Sequence, residues 1–542
     1  MKYQFSGDSA LALEAEFVKL FPLRSSGTPN NRKAVRWLQE IFSNLGMITK
    51  IDEWTVMNYS KPLFLNNVIA TLPGNSTEEI IIVAHHDQSP DTYEGADNDG
   101  SGIAILLHLA QIFSRIEERK YTMVFLSSDG EEYGMLGSLH YVETHPDIER
   151  IIAAISLDNL GKKIYNGLMM DARGQFRNYG DLWLQLLTQK VALNAENLWV
   201  PQISSPLEQV LFQAVPVSFM DEGPFVAKRI PSFGLTGIVP FQEIDTHWNT
   251  YHTLHDTIGL QSSITLQHAG QVVEGLAKKL LTMDDFPKEK GPYIYFPNKQ
   301  LVLREIPLWS IFILFIVLFM AVSLLAFQKI NRNKKAWRQA LQHFLSLWIP
   351  LIASILLLYL FVEIGLMDKY YLYPATAKDE PLFEPKWGAV LLWLFSLFVL
   401  FFISRKYLRS ILPKNLSITF MARKCIAFLM TGLAMIYILL VNPFSLLFLL
   451  PTPVWLLIRG RSGQLNKIKD VLLFLIGGVI VYLLCYFFGF VVLRNGLAVI
   501  WYLMMMFSIK MISFPTSLAI TAVIAAGLSM VVNQPVATSK SN

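Results

Sequence analysis

Thiols are nearly absent from these 542 residues: the two cysteines, Cys425 and Cys485, both lie in apolar runs of the second half. The first half therefore has neither a disulfide nor a thiolate metal site, so any metal bound there must use nitrogen and oxygen donors. Charge is also scarce, at 16% against a hydrophobic fraction of 53%, which is far from a soluble average. What charge there is divides unevenly. Residues 1–305 hold 36 of the 42 Asp and Glu, 25 of the 46 Lys and Arg and nine of the ten histidines, so that part is net −11 and the rest +15. An unbroken apolar leader is missing too, because Asp8, Glu14 and Glu16 interrupt the first twenty residues. We therefore expect that an N-terminal signal or anchor helix is missing from this form of the chain.

The second half has what the first lacks. Apolar runs of bilayer-crossing length, about 20 residues, fall near 307–328, 341–366, 388–404, 425–441, 471–494, 496–513 and 514–533, with a shorter proline-bearing run at 442–458. Buried helices of one large globular core would leave that core almost no polar surface, so we expect an all-α polytopic transmembrane domain of about eight helices over 307–535, with a tail at 536–542. Alternate connecting loops carry sixteen Lys and Arg against five in the opposite set. The positive-inside rule then puts the acidic domain on the extracytoplasmic side.

The first half alternates. Trp37, Ile41 and Leu45 recur at helical spacing before Gly46, the mark of a helix and its stop. Strand candidates at 66–72, 79–86, 121–128, 151–157 and 230–238 are interleaved with helix candidates at 101–113, 181–191 and 263–283. Continuous apolar strands between helices predict an α/β domain over 1–290, a mixed, mainly parallel sheet sandwiched by helices, joined to the membrane half by a linker at 291–306. Ligands of such sheets bind at the carboxyl ends of the strands. Those ends read His85-His86-Asp87, Asp129-Gly130-Glu131-Glu132 and Asp158, and His247, His252, His255 and Asp256 follow the last strand. Histidines and carboxylates without cysteine suit zinc or a similar divalent ion in an open arrangement. Two such ions about 3.5–4 Å apart need a bridging carboxylate, and the glycine-rich loop "EGADNDGSG" suits that role. Of the adjacent Glu131 and Glu132, one can ligate while the other holds the attacking water.

Five stretches in this order, "AHHDQ", "GADNDGSG", "SSDGEEYGMLGS", "ISLDNLG" and "YHTLHDT", resemble the metal-site motifs of the M28 family of zinc aminopeptidases and carboxypeptidases. The likeness runs from about residue 20 to 285, and the layout is similar to the family's membrane-bound branch with a C-terminal multi-span domain. The resemblance implies a zinc exopeptidase-like fold and two Zn2+ per chain. His85 and Asp158 would bind one ion, Glu132 and His252 the other, and Asp97 would bridge them. It further implies Glu131 as the general base, Asp87 as the carboxylate orienting His85, and Tyr251 as a group steadying the oxyanion. The expected partners are a peptide with a free N-terminus and the lipid bilayer, with no nucleic acid. His86 is expected to face away from the ligands, and Asn98 and Asp99 to shape their loop.

The expected function is thus a membrane-anchored di-zinc aminopeptidase. A glutaminyl-cyclase-like enzyme with one zinc, or an inactive peptidase-fold receptor or scaffold, are the alternatives. Transport by the second half is disfavoured, because Glu363 and His343 are the ionisable groups near membrane depth and each lies close to the end of a span.

Overall fold

The computed structural model describes residues 3–58, 61–195, 197–288, 291–328, 334–367, 386–411, 420–449, 456, 498–508, 510 and 512–531. The chain divides into two compact units near Val302.

In the first unit the apolar runs become strands of one eight-stranded sheet, β1 (Ile48–Asn58), β2 (Lys61–Leu72), β3 (Ser76–His85), β4 (Tyr121–Ser128), β5 (Ile151–Leu157), β6 (Leu168–Asp171), β7 (Gln202–Ile203) and β8 (Ser232–Gly237), in the spatial order β1-β2-β4-β3-β5-β8-β6-β7. Its parallel centre is β4, β3, β5 and β8. An antiparallel hairpin, β1 and β2, flanks β4, while β6 runs antiparallel to β8. The sheet is mixed, with parallel strands at its middle.

Side chains alternate across each strand, and in β3 both faces are buried. Ile80, Ile82 and Ala84 enter a core shared with α1 (Gly7–Leu20), α2 (Pro29–Asn44), α3 (Ser101–Phe113) and α9 (Ser263–Leu281). Ile81 and Val83 pack instead with Tyr141, Val142 and Phe225, from α4 (Leu136–Thr144) and α7 (Glu222–Ala227). Burial on both sides explains why β3 reads as unbroken Ile and Val.

Helix α1 occupies the stretch whose acids break up a leader pattern; Ala10, Phe17 and Val18 face the core. The segment expected as a linker begins with structure of its own. Ile294–Phe296 and Leu301–Leu303 pair as a small hairpin, and Tyr293 and Tyr295 are buried with Leu182. Tyr293 also donates its hydroxyl to the carbonyl of Gly180 at 2.9 Å.

Most of the second unit's described residues lie in helices. Among the described residues, three helices are long and apolar enough to cross a membrane: Ala336–Glu363, Trp387–Tyr407 and Ala422–Val441. Shorter apolar helices cover Phe312–Ala321 and Phe514–Met530. The span expected at 471–494 lies outside the described residues.

Candidate metal centre

Because β3, β4 and β5 run parallel, their carboxyl ends open on one rim. His85 closes β3, Asp129-Gly130-Glu131-Glu132 follows β4 and Asp158 follows β5. Gly130 has φ +75°, a conformation that costs glycine little, and it turns the chain so that both glutamates are buried.

The side chains converge closely. His85 Nε2 lies 3.8 Å from Glu131 Oε2 and 3.8 Å from Asp158 Oδ1, and His252 Nε2 is 3.1 Å from Glu132 Oε2. On the other edge of the His85 ring, Nδ1 is 3.3 Å from Asp87 Oδ1. The same Asp87 carboxylate accepts the backbone N–H groups of Glu131 at 3.2 Å and Glu132 at 3.3 Å. The Tyr251 ring stacks on His252 with centroids 3.9 Å apart. His85, Glu131, Glu132, Asp158 and His252 thus meet at one place, with Asp87 behind His85 and Tyr251 beside His252.

Asp97 does not join them. Its Oδ1 accepts the backbone N–H groups of Gly161 at 2.9 Å and Lys162 at 3.2 Å, Oδ2 accepts the Tyr165 hydroxyl, and Lys162 Nζ is 3.5 Å away. The residue among the expected ligands is Asn98, which sequence reasoning assigned to loop shape. Its Oδ1 is 2.9 Å from His85 Nε2, and its Nδ2 donates to Glu132 Oε1 and His252 Nε2, each at 2.7 Å. Asp97, expected as the bridge, is thus turned by the loop towards Gly161, and the neighbouring amide of Asn98 faces the other expected ligands. Asp99 is also near; its carboxylate accepts the N–H groups of Gly102 at 2.9 Å and His85 at 3.3 Å. A Cβ at Gly102 would stand 2.3 Å from Asp99 Oδ2, so glycine is required for that bond.

The other histidines lie where packing puts them. His86 bonds Ser127 Oγ at 2.8 Å, His140 stacks on Trp54 and His268 on Trp199, and His255 is exposed.

The rim is short of positive charge. Among the described residues, the ion pairs of Glu131, Glu132 and Asp158 are with histidine. Burial pushes Glu131 well above the usual carboxylate range, with Glu132 and Asp158 adding to the rise. Burial likewise raises Asp158. His85 is raised despite its burial, because Glu131, Asp158 and Asp87 favour its cationic form. Glu131 Oε1 is buried without a hydrogen-bond partner. His85, Glu131 and Glu132 bring ligand atoms within 4.8 Å of one another, as do His85, Asp99 and Asp158. A buried set of imidazoles and excess carboxylates, with one oxygen unsatisfied, fits a divalent cation of the zinc type.

Fold and cluster together define an α/β domain with buried histidines and carboxylates gathered at the carboxyl ends of parallel strands. Residues 67–277 match the family model of Peptidase family M28, and the chain carries a domain of that family. A vacuolar membrane protease of Clavispora lusitaniae is 23% identical over 305 residues, covering 54% of this chain and 28% of that protein. Aminopeptidase YwaD of Bacillus subtilis is 27% identical over 214 residues, covering 39% and 42%. Among solved structures, a zinc aminopeptidase from Bacillus subtilis aligns with TM-score 0.44 and 14% identity, over 53% of this chain and 98% of that one. The chain thus spans under half the length of these two curated relatives.

Proposed function

We propose that this chain is a zinc-dependent aminopeptidase whose catalytic domain is held at a membrane by its apolar helices, on the extracytoplasmic side. One observation carries the reading: Glu131, a buried carboxylate with an unsatisfied oxygen, stands 3.8 Å from the imidazole of His85. A base so placed takes a proton from the attacking water and returns it to the departing amine. Bound zinc would polarise the scissile carbonyl and stabilise the charge that develops on it. His85 and Asp158 on one side, Glu132 and His252 on the other, are the candidate ligands. Asp87 holds the His85 ring by its far nitrogen, the usual support for a ligating histidine, and Tyr251 flanks the position where an oxyanion would form. The acidic domain favours a substrate bearing a free α-ammonium group.

The test is hydrolysis of amino-acid amides and of N-acetylated peptides by the full chain, with and without chelator. Chelator-sensitive release from unblocked substrates alone is expected. Equal cleavage of blocked and free N-termini would overturn the exopeptidase reading.

Asn98 favours a second reading. Without a carboxylate between the ligand pairs, the site approaches the single-metal arrangement of a glutaminyl cyclase. Peptides with N-terminal glutamine would then lose ammonia and keep their length, which mass spectrometry distinguishes from loss of a residue.

A further inference from the structure

A pair of divalent ions held about 3.5–4 Å apart repel each other strongly, and a shared anion offsets that repulsion. The central side chain here is uncharged. Asn98 is 3% exposed, and its amide spans both ligand pairs, with the carbonyl oxygen towards His85 and the NH2 group towards Glu132 and His252. The two ends of an amide are not equivalent to a cation. The carbonyl oxygen is a ligand atom, whereas the NH2 group presents hydrogens and already occupies the acceptor atoms of Glu132 and His252.

No other carboxylate of the loop takes the central place. Asp97 is held by Gly161, Lys162 and Tyr165. The Asp256 carboxylate accepts the backbone N–H groups of Asp97 at 3.0 Å and Asn98 at 3.1 Å, which fixes which of the two side chains faces the rim. Asp99 is committed to Gly102 and to the backbone of His85.

We infer that this site takes one divalent cation per chain, on the His85 and Asp158 side with the Asn98 carbonyl oxygen facing it, and that the Asn98 NH2 group stands where a second ion would bind. The inference rests on the metal-centre reading above and narrows it. It is compatible with hydrolysis, since a single zinc supports that reaction in other enzymes.

The experiment is zinc content of the purified full chain in detergent, after equilibration with excess zinc and removal of the unbound ion, measured by mass spectrometry of the metal. One ion per chain is expected for the natural sequence, and two for the near-isosteric Asn98→Asp. His252→Ala should keep the single ion, whereas His85→Ala should lose it, each checked for a monodisperse elution profile. Two ions in the natural protein overturn the inference while leaving the metal centre intact, as does an ion that survives His85→Ala and leaves with His252→Ala. A single ion in Asn98→Asp overturns the part assigned to the amide. No retained zinc in the natural protein overturns the metal-centre reading and the inference together.

Discussion

Two clusters of buried acids lie on either side of the loop 95–100, and they are balanced differently. On the rim, Glu131, Glu132 and Asp158 face imidazoles and an amide. Behind the loop, Asp97 and Asp256 meet the chain's own donors: Lys162, the Tyr165 hydroxyl and four backbone N–H groups. Arg24, fully buried, donates to the carbonyl oxygens of His86 at 2.9 Å and Gly95 at 2.7 Å. Asp97 and Asp256 draw their donors and a cation, Lys162, from the chain itself, and these contacts hold the loop in place. Among the described residues the front carboxylates pair with histidine instead, which suits a site for an external cation.

The largest effect should come from removing the base at the front. Glu131→Gln is expected to lower kcat on a free amino-acid amide by about 10^3-fold while bound zinc is unchanged, and equal activity would refute the assigned base. Next comes the rear. Asp97→Asn removes one partner of a buried ion pair and should cost about 3 kcal/mol, seen as a lower melting temperature with zinc content per folded chain unaffected. Loss of zinc with stability intact would return Asp97 to the ligand set.

A smaller effect concerns pH. Burial pushes His86 down to about 4, so it is neutral in the folded chain and protonates when the chain unfolds below its ordinary value. Its stabilising contribution is present above about pH 6.5 and is lost as pH falls towards 4. His86→Asn should therefore lose less stability than the natural chain between pH 7 and 4.5, by about 2 kcal/mol, measured by thermal melts. The smallest change is on the surface. The Lys50–Asp52 pair, 2.7 Å apart with Lys50 66% exposed, should matter by less than about 0.5 kcal/mol on Lys50→Ala.

Much of this was legible in the sequence. Strands buried on both faces read as runs such as "EIIIVA", and parallel order puts the residues after each run on one rim, so the rim positions of His85, Glu131, Glu132 and Asp158 follow from the sequence pattern. The hairpin of β1 and β2 was harder to see, since Lys50, Asp52 and Glu53 dilute the β1 pattern. The loop 95–100 was illegible for a different reason. Three consecutive polar residues, Asp97, Asn98 and Asp99, point three ways, and which of them faces the rim depends on Gly161, Tyr165 and Asp256, each more than 60 positions away in the chain. Residue type favours the acid over the amide as a ligand, whereas tertiary contacts turn the amide to the rim.

The carboxylate of Asp87 grips an imidazole edge with one oxygen and two successive backbone amides with the pair. It acts as a yoke: the ring that would meet the ion and the segment bearing the proton acceptor cannot drift apart, so their spacing survives thermal motion of the loops around them. Shortening or neutralising that single side chain would loosen both at once, and the damage would exceed what the loss of any one of its contacts predicts.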